Sequence, residues 1–279
     1  MRKKIHLTAI WWILIAVILW SAQGVLGKAN SWSPISLTAV RAIFAALVLG
    51  IYRKSFKPAK EKVNWLAAVF VAMTGVLFLL ANNLTTAANA IVIQYVMPVF
   101  VIILSAVIWH KKVSGIDVLC SIIMLAGVAL CFVSGLSGGA FWGNVFALLS
   151  AFTYAMMYLS ARLKGSDVLS YTYQGSLLCL LLLCYIPFDG AFVLDLPNVL
   201  SAAAMGLCVG FGYICFAKGF SLDIDPVKAS VVSYVEPVLN PIWVMIFIGE
   251  TVTAWSIAGI VLVLATAIYY SLVNSKQQS

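Results

Sequence analysis

The sequence predicts an all-α integral membrane protein. Ten transmembrane helices form two inverted five-helix repeats, residues 1–137 and 138–279, with both termini on the cytoplasmic side. Three observations predict this: an extreme apolar composition, basic residues confined to alternate loops, and a segment that recurs after 139 residues. Of the 279 residues 63% are hydrophobic and only 9% charged, and the mean hydropathy is +1.06. A soluble domain carries about 25% charged residues. So much apolar side chain leaves no wettable surface, so the solvent is lipid, and the length accommodates about ten spans of roughly 20 residues.

Ten apolar stretches are present, at about 8–27, 33–52, 64–82, 88–109, 114–134, 141–161, 168–187, 198–217, 227–248 and 253–273. In lipid each backbone amide must bond within its own segment, so each stretch is a helix. The first follows MRKK and runs for nearly 20 residues with no small-residue cleavage site after it. That pattern is a retained helix rather than a signal peptide. The second carries Arg41, the fourth Gln94, Tyr95 and Pro98, the sixth Tyr154 and Tyr158, and the ninth Glu236 between prolines. The eighth contains Gly206 and Gly210, a spacing that favours close helix packing. All six cysteines lie inside apolar stretches without a CxxC pair, which reads as small packing residues.

Charge placement tests the count. With the N-terminus inside, the cytoplasmic segments hold fifteen of the seventeen Lys and Arg residues, in clusters at 2–4, 53–62, 111–112, 162–164, 218–228 and 276. The other side holds Lys28 alone, and Arg41 lies within a helix. That bias is the positive-inside signature. It accounts for the net charge of +8 without a nucleic-acid partner, since no aromatic-interleaved basic surface is present. Shifted by 139, residues Ala90, Val92, Tyr95, Val96, Pro98 and Val99 fall on Ala229, Val231, Tyr234, Val235, Pro237 and Val238. Five helices per copy is an odd number, so the second copy starts on the opposite side. Inverted repeats recur in secondary transporters, with the site near the midplane between the halves.

Ten short helices in a 5+5 repeat, LTAVRAIFAALVL at 37–49 and EPVLNPIWVMIFIGE at 236–250 resemble the drug/metabolite transporter superfamily, specifically its EamA family. The likeness covers nearly the whole chain and is most specific at 226–262. The family often ends the fourth helix of each half with Gly-Glu. Gly249-Glu250 matches, whereas the first half has His110-Lys111. The resemblance implies substrates such as amino acids, other metabolites or cationic drugs, often exported, across the cytoplasmic membrane. Monomer and homodimer both stay open.

The residues themselves point to the ninth helix. Ser233, Glu236, Asn240 and Trp243 recur at spacings of three and four, on one helical face. Glu236 lies about nine residues in, roughly 14 Å deep, near the centre of a core about 30 Å thick. An acid there normally faces a bundle interior or a water-filled cavity, where it can bind a cation or exchange a proton. Pro237 removes the helical donor from the carbonyl of Ser233, Pro241 does the same to Pro237, and Pro98 to Gln94. Bends at these prolines serve either gating or packing. Glu236 is either a coupling acid or a structural one bonded to a neighbour.

Arg41, about eight residues into the second helix, either receives the acidic end of a solute or braces a neighbour and snorkels outward. A zwitterion spanning Arg41 and Glu236 is one specific expectation. Trp20, Gln23, Asn82, Gln94, Tyr95, Tyr154, Tyr158, Tyr213 and Tyr234 complete the candidate cavity, with core packing as the competing reading for the aromatics. Trp11, Trp12, Trp142, Tyr269 and Tyr270 read as the interfacial belt. Lys218 and Lys228 read as a solvated orienting loop.

No nucleotide-binding loop, HExxH or metal-ligand cluster is present, so neither a cofactor nor a metal is expected. GLSGG at 135–139 matches GxSxG in letters only, in an outer loop. An enzyme lacks its constellation, a scaffold would not need an inverted repeat with midplane polar residues, and a transporter without ion coupling stays open. The partners expected are a small-molecule substrate and the lipid bilayer.

Overall fold

A computed structural model describes residues 2–110, 112–133, 136, 141–249 and 253–276. Among the described residues the chain is all-helical. Lys111, most of the 135–139 motif and Glu250 lie outside the described residues. The helices are α1 (Arg2–Ser21), α2 (Gln23–Lys28), α3 (Pro34–Tyr52), α4 (Lys62–Leu84), α5 (Ala87–Gln94), α6 (Met97–Trp109), α7 (Gly115–Cys131), α8 (Phe141–Ser160), α9 (Val168–Cys179), α10 (Leu196–Ser221), α11 (Pro226–Val232), α12 (Val235–Ile248) and α13 (Ala254–Lys276). A 3-10 segment, Leu180–Phe188, continues α9.

Eight helical segments are long and apolar enough to cross a membrane, some as two helices end to end, and two shorter apolar helices, Gly115–Cys131 and Ala254–Tyr270, accompany them. Each falls on one of the ten apolar stretches of the sequence. Local chemistry sets their starts. Ser33, Thr86, Asp167, Asp195 and Asp225 each accept a bond from a first-turn amide, which satisfies one of the orphan donors of a helix N-terminus. Four of these helices or helix pairs also use proline in the first turn, where its missing N–H costs nothing. The ends of α6 and α12 match: His110 and Gly249 both take left-handed conformations, with φ of 48° and 78°.

Two stretches expected as single helices are broken. The fourth divides between Gln94 and Met97, and the ninth between Val232 and Val235. The prolines cause this, but one expected consequence does not occur. The carbonyl of Ser233, deprived of its donor by Pro237, accepts the N–H of Glu236 at 3.0 Å. The chain tightens by one residue and keeps the bond, so this oxygen is not a free acceptor for a cavity. Pro241 is accommodated inside α12.

The most extensive packing joins α4 to α8 and α9, α3 and α1 to α10, and α7 to α13. Gly206 and Gly210 act as the spacing suggests. An added β-carbon would lie 2.4 Å from the Arg41 carbonyl oxygen at Gly206 and 2.8 Å from Val48 Cβ at Gly210, so α10 and α3 touch backbone to backbone. The main core runs through α1, α8, α10 and the two broken stretches, with Tyr158, Phe216, Tyr234 and Met97 buried in it. Tyr270 is a correction to the expected aromatic belt. It is buried and donates to Asp117 Oδ1 at 2.7 Å, whereas Trp11, Trp142 and Tyr269 are exposed. Lys218 is also not in a loop. It closes the last turn of α10 and sits 4.3 Å from the centroid of Trp12, a cation–π contact.

Candidate functional site

Glu236 is the eleventh of the 22 residues of the span Pro226–Phe247, at mid-span, and its side chain is half-buried. A carboxyl at that depth needs partners. The hydroxyl of Tyr154, on α8, donates to Glu236 Oε2 at 3.2 Å, and Tyr95, at the α5–α6 break, lies within hydrogen-bonding reach. Tyr95 in turn stands 6.3 Å from the buried ring of Tyr234. One turn before Glu236, Ser233 shares a 2.6 Å hydrogen bond with Tyr158 and donates to the Ala229 carbonyl. Tyr154 and Tyr158 are a turn apart on α8 and stack edge to face at 5.4 Å. Among the described residues the carboxyl is therefore held by phenols. Among the described residues no lysine or arginine pairs with it.

The expected face of the ninth stretch divides between two neighbours. Ser233 and Glu236 meet α8, whereas Asn240 and Trp243 meet α1 and α2. Trp243 Nε1 donates to Ser21 Oγ at 2.8 Å. Asn240 lies over Gly24, where an added β-carbon would come 2.1 Å from its Oδ1, and that oxygen is buried without a partner. A side chain at position 24 would have to displace the Asn240 amide from this place.

The remaining candidates separate into three groups. Arg41 donates to Gln23 Oε1, and Tyr213 and Cys179 lie within electrostatic range of it. The arginine thus faces inward and does not snorkel. Trp20 and Tyr213 pack edge to face at 5.4 Å. Trp20 is buried against Phe216 as well, so it reads as core, with its Nε1 unpartnered. Gln94 and Asn82 are not brought to the carboxyl. Gln94 donates to Ser150 Oγ at 2.8 Å, and that hydroxyl donates to the Thr74 carbonyl, which ties α5 to α8 and α4. Asn82 donates to Phe78 of its own helix.

Sequence reasoning missed two networks. At one end, Asp189 accepts from Ser33 and Ser36, each at 2.5 Å, and the hydroxyl bonds hold its carboxyl below the usual range despite the opposing effect of desolvation. Asn198 accepts from the amide of Ser31 nearby. At the other end, Arg53 bonds Ser170 and lies over Tyr173, and Tyr173 donates to the Phe56 carbonyl. The only available signals were helix-capping Ser and Asp residues, and these do not name a partner 150 residues away.

Comparison with known proteins identifies the family. The sequence pattern of the EamA-like transporter family matches twice, over residues 7–133 and 141–272. An uncharacterized transporter of Clostridium kluyveri is 24% identical, with 95% of this chain and 93% of that protein covered. The uncharacterized inner membrane transporter YicL of Salmonella typhimurium is 27% identical, with 93% and 94% covered. The uncharacterized transporter YxxF of Bacillus subtilis is 25% identical over 92% and 88%. A crystal structure superposes with a TM-score of 0.80 at 20% identity, covering 95% of this chain and 98% of the other, which extends the likeness to the fold. The chain belongs to the EamA-like transporter family, and it is a multi-pass membrane transporter.

Proposed function

We propose that the chain exports small organic solutes, such as amino acids, related metabolites or drugs, across the cytoplasmic membrane. It does so by alternating access between two inverted five-helix repeats, 1–137 and 138–279. Ten spans with both termini cytoplasmic follow from the charge bias of the loops. With no nucleotide-binding loop in the sequence, the energy comes from an ion or solute gradient, and Glu236 is the group that exchanges a proton or receives the cationic part of the cargo. Pro98 and Pro237 supply the bends about which the halves move.

One observation carries this reading. A half-buried carboxyl stands at mid-span with, among the described residues, Tyr154 and Tyr95 as its hydrogen-bonding neighbours. A structural acid at this depth would be expected to pair with a cation or with several donors. A group that alternates between proton and cargo needs partners that tolerate both states, and neutral phenols do so. Transport in proteoliposomes with and without an imposed pH gradient tests it. Wild type is expected to respond to the gradient, and Glu236→Gln to lose that response. An unchanged response in Glu236→Gln ends the coupling role. Gradient-independent flux in wild type would instead support an uncoupled exchanger.

A further inference from the structure

We propose that Arg41 and Gln23 form a carboxylate-binding subsite bordering the same interior space as Glu236, so that the cargo carries a carboxylate. This rests on the transport reading above and adds a second recognition point to it.

Arg41 is the eighth of the nineteen residues of α3, so it lies deep in its span. Its guanidinium is set among other helices. It bonds Gln23 of α2, approaches Gly75 of α4, where an added β-carbon would be 3.8 Å away, and lies in electrostatic range of Cys179 of α9 and Tyr213 of α10. No carboxylate neutralises it among the described residues. Other acids are engaged elsewhere: Asp117 by Tyr270, Asp189 by Ser33 and Ser36, Asp223 by Arg162, and Glu236 by Tyr154. Asp167, Asp195 and Asp225 cap helices, and Glu61 precedes α4.

A desolvated cation without a counter-ion is costly. Among the described residues its side-chain hydrogen bond goes to a neutral amide, which orients the fork without cancelling its charge. A guanidinium has five N–H donors, so donors remain after Gln23 is served, and their planar geometry matches a carboxylate. Tyr213 of α10 is within electrostatic range of both Arg41 and Glu236. Asn240, one turn beyond Glu236, rests on Gly24, the neighbour of Gln23. Thus α12 and α2 meet one residue from Gln23 and one turn from Glu236.

The test uses four probes that separate the two charges: phenylalanine, phenylalanine amide, N-acetylphenylalanine and N-acetylphenylalanine amide. Their binding is measured on purified full-length protein by ligand-induced thermal stabilisation, and their flux in proteoliposomes. Wild type is expected to prefer phenylalanine over its amide by about tenfold or more. Arg41→Gln is expected to bring that ratio to about one while Glu236→Gln leaves it in place. Should Arg41→Gln not fold, Gln23→Glu keeps the arginine and supplies an internal carboxylate, and it is expected to remove the same preference. A wild type that binds phenylalanine and its amide equally, or binds no carboxylate probe, overturns the subsite, as does a preference that survives Gln23→Glu in folded protein. Failure of the transport reading is read separately, as absence of flux for every solute. A protein that moves the amide as fast as phenylalanine is still a transporter without the subsite.

Discussion

The α5–α6 and α11–α12 stretches have the same backbone design and opposite interiors. Each is broken near its middle, each follows the break with a proline, and each ends in a left-handed cap. At a shift of 139 residues Gln94, Met97, Val101 and Leu104 correspond to Ser233, Glu236, Asn240 and Trp243. Met97 and Val101 are fully buried apolar residues, whereas Glu236 and Asn240 are half-buried and polar. The break thus belongs to the scaffold, because both stretches have it. The chemistry belongs to one stretch, because only the second places a carboxyl at the break. A gate alone would be served by two apolar copies.

This difference can be attacked from both sides. The largest effect is expected from Met97→Glu, which puts an acid where the first stretch is sealed. It should destabilise the fold by about 2.5–3.5 kcal/mol, the cost of a charge at a helix centre, read as a drop in thermal unfolding temperature in detergent. Glu236→Met, the reciprocal exchange, should leave the fold intact and lower gradient-driven flux by at least about tenfold, equivalent to about 1.4 kcal/mol. If Met97→Glu were tolerated as well as Glu236→Met, the two stretches would not differ as described. On stability, a smaller loss than that of Met97→Glu is expected from Tyr154→Phe, which removes the 3.2 Å bond to the carboxyl. It should cost about 1.5–3 kcal/mol if the carboxyl is ionised and about 0.5–1.5 if it is protonated, so unfolding temperatures at several pH values sharpen the picture. Least is Trp243→Phe, where loss of the bond to Ser21 should cost about 1 kcal/mol and leave the pH response of transport unchanged.

The helices were legible because lipid demands continuous apolar stretches, and prolines at 98 and 237 announced both breaks. The face carrying Ser233 and Glu236 was legible because helical spacing fixes which residues point the same way. Spacing does not say what they point at. Tyr154 and Tyr158 were candidates from their own spacing, but only the packing of α8 against the breaks joins them to Ser233 and Glu236. The same limit applies to other candidates: Gln94 sits beside Tyr95 in sequence yet turns to Ser150, and Trp20 shares a turn with Gln23 yet packs on Tyr213 and Phe216, the competing reading for the aromatics. The Ser233 carbonyl was misjudged for a different reason. Counting i to i+4 donors ignores the option of tightening to i+3, which the chain takes.

The central claim is that position 236 meets water and position 97 does not. The most direct measurement is reaction of a membrane-impermeant thiol reagent with single cysteines, Glu236→Cys and Met97→Cys, in an otherwise cysteine-free chain reconstituted in membranes. The account predicts labelling at 236, slowed by a transported solute, and none at 97. Equal labelling of the two, or a silent position 236, would contradict it.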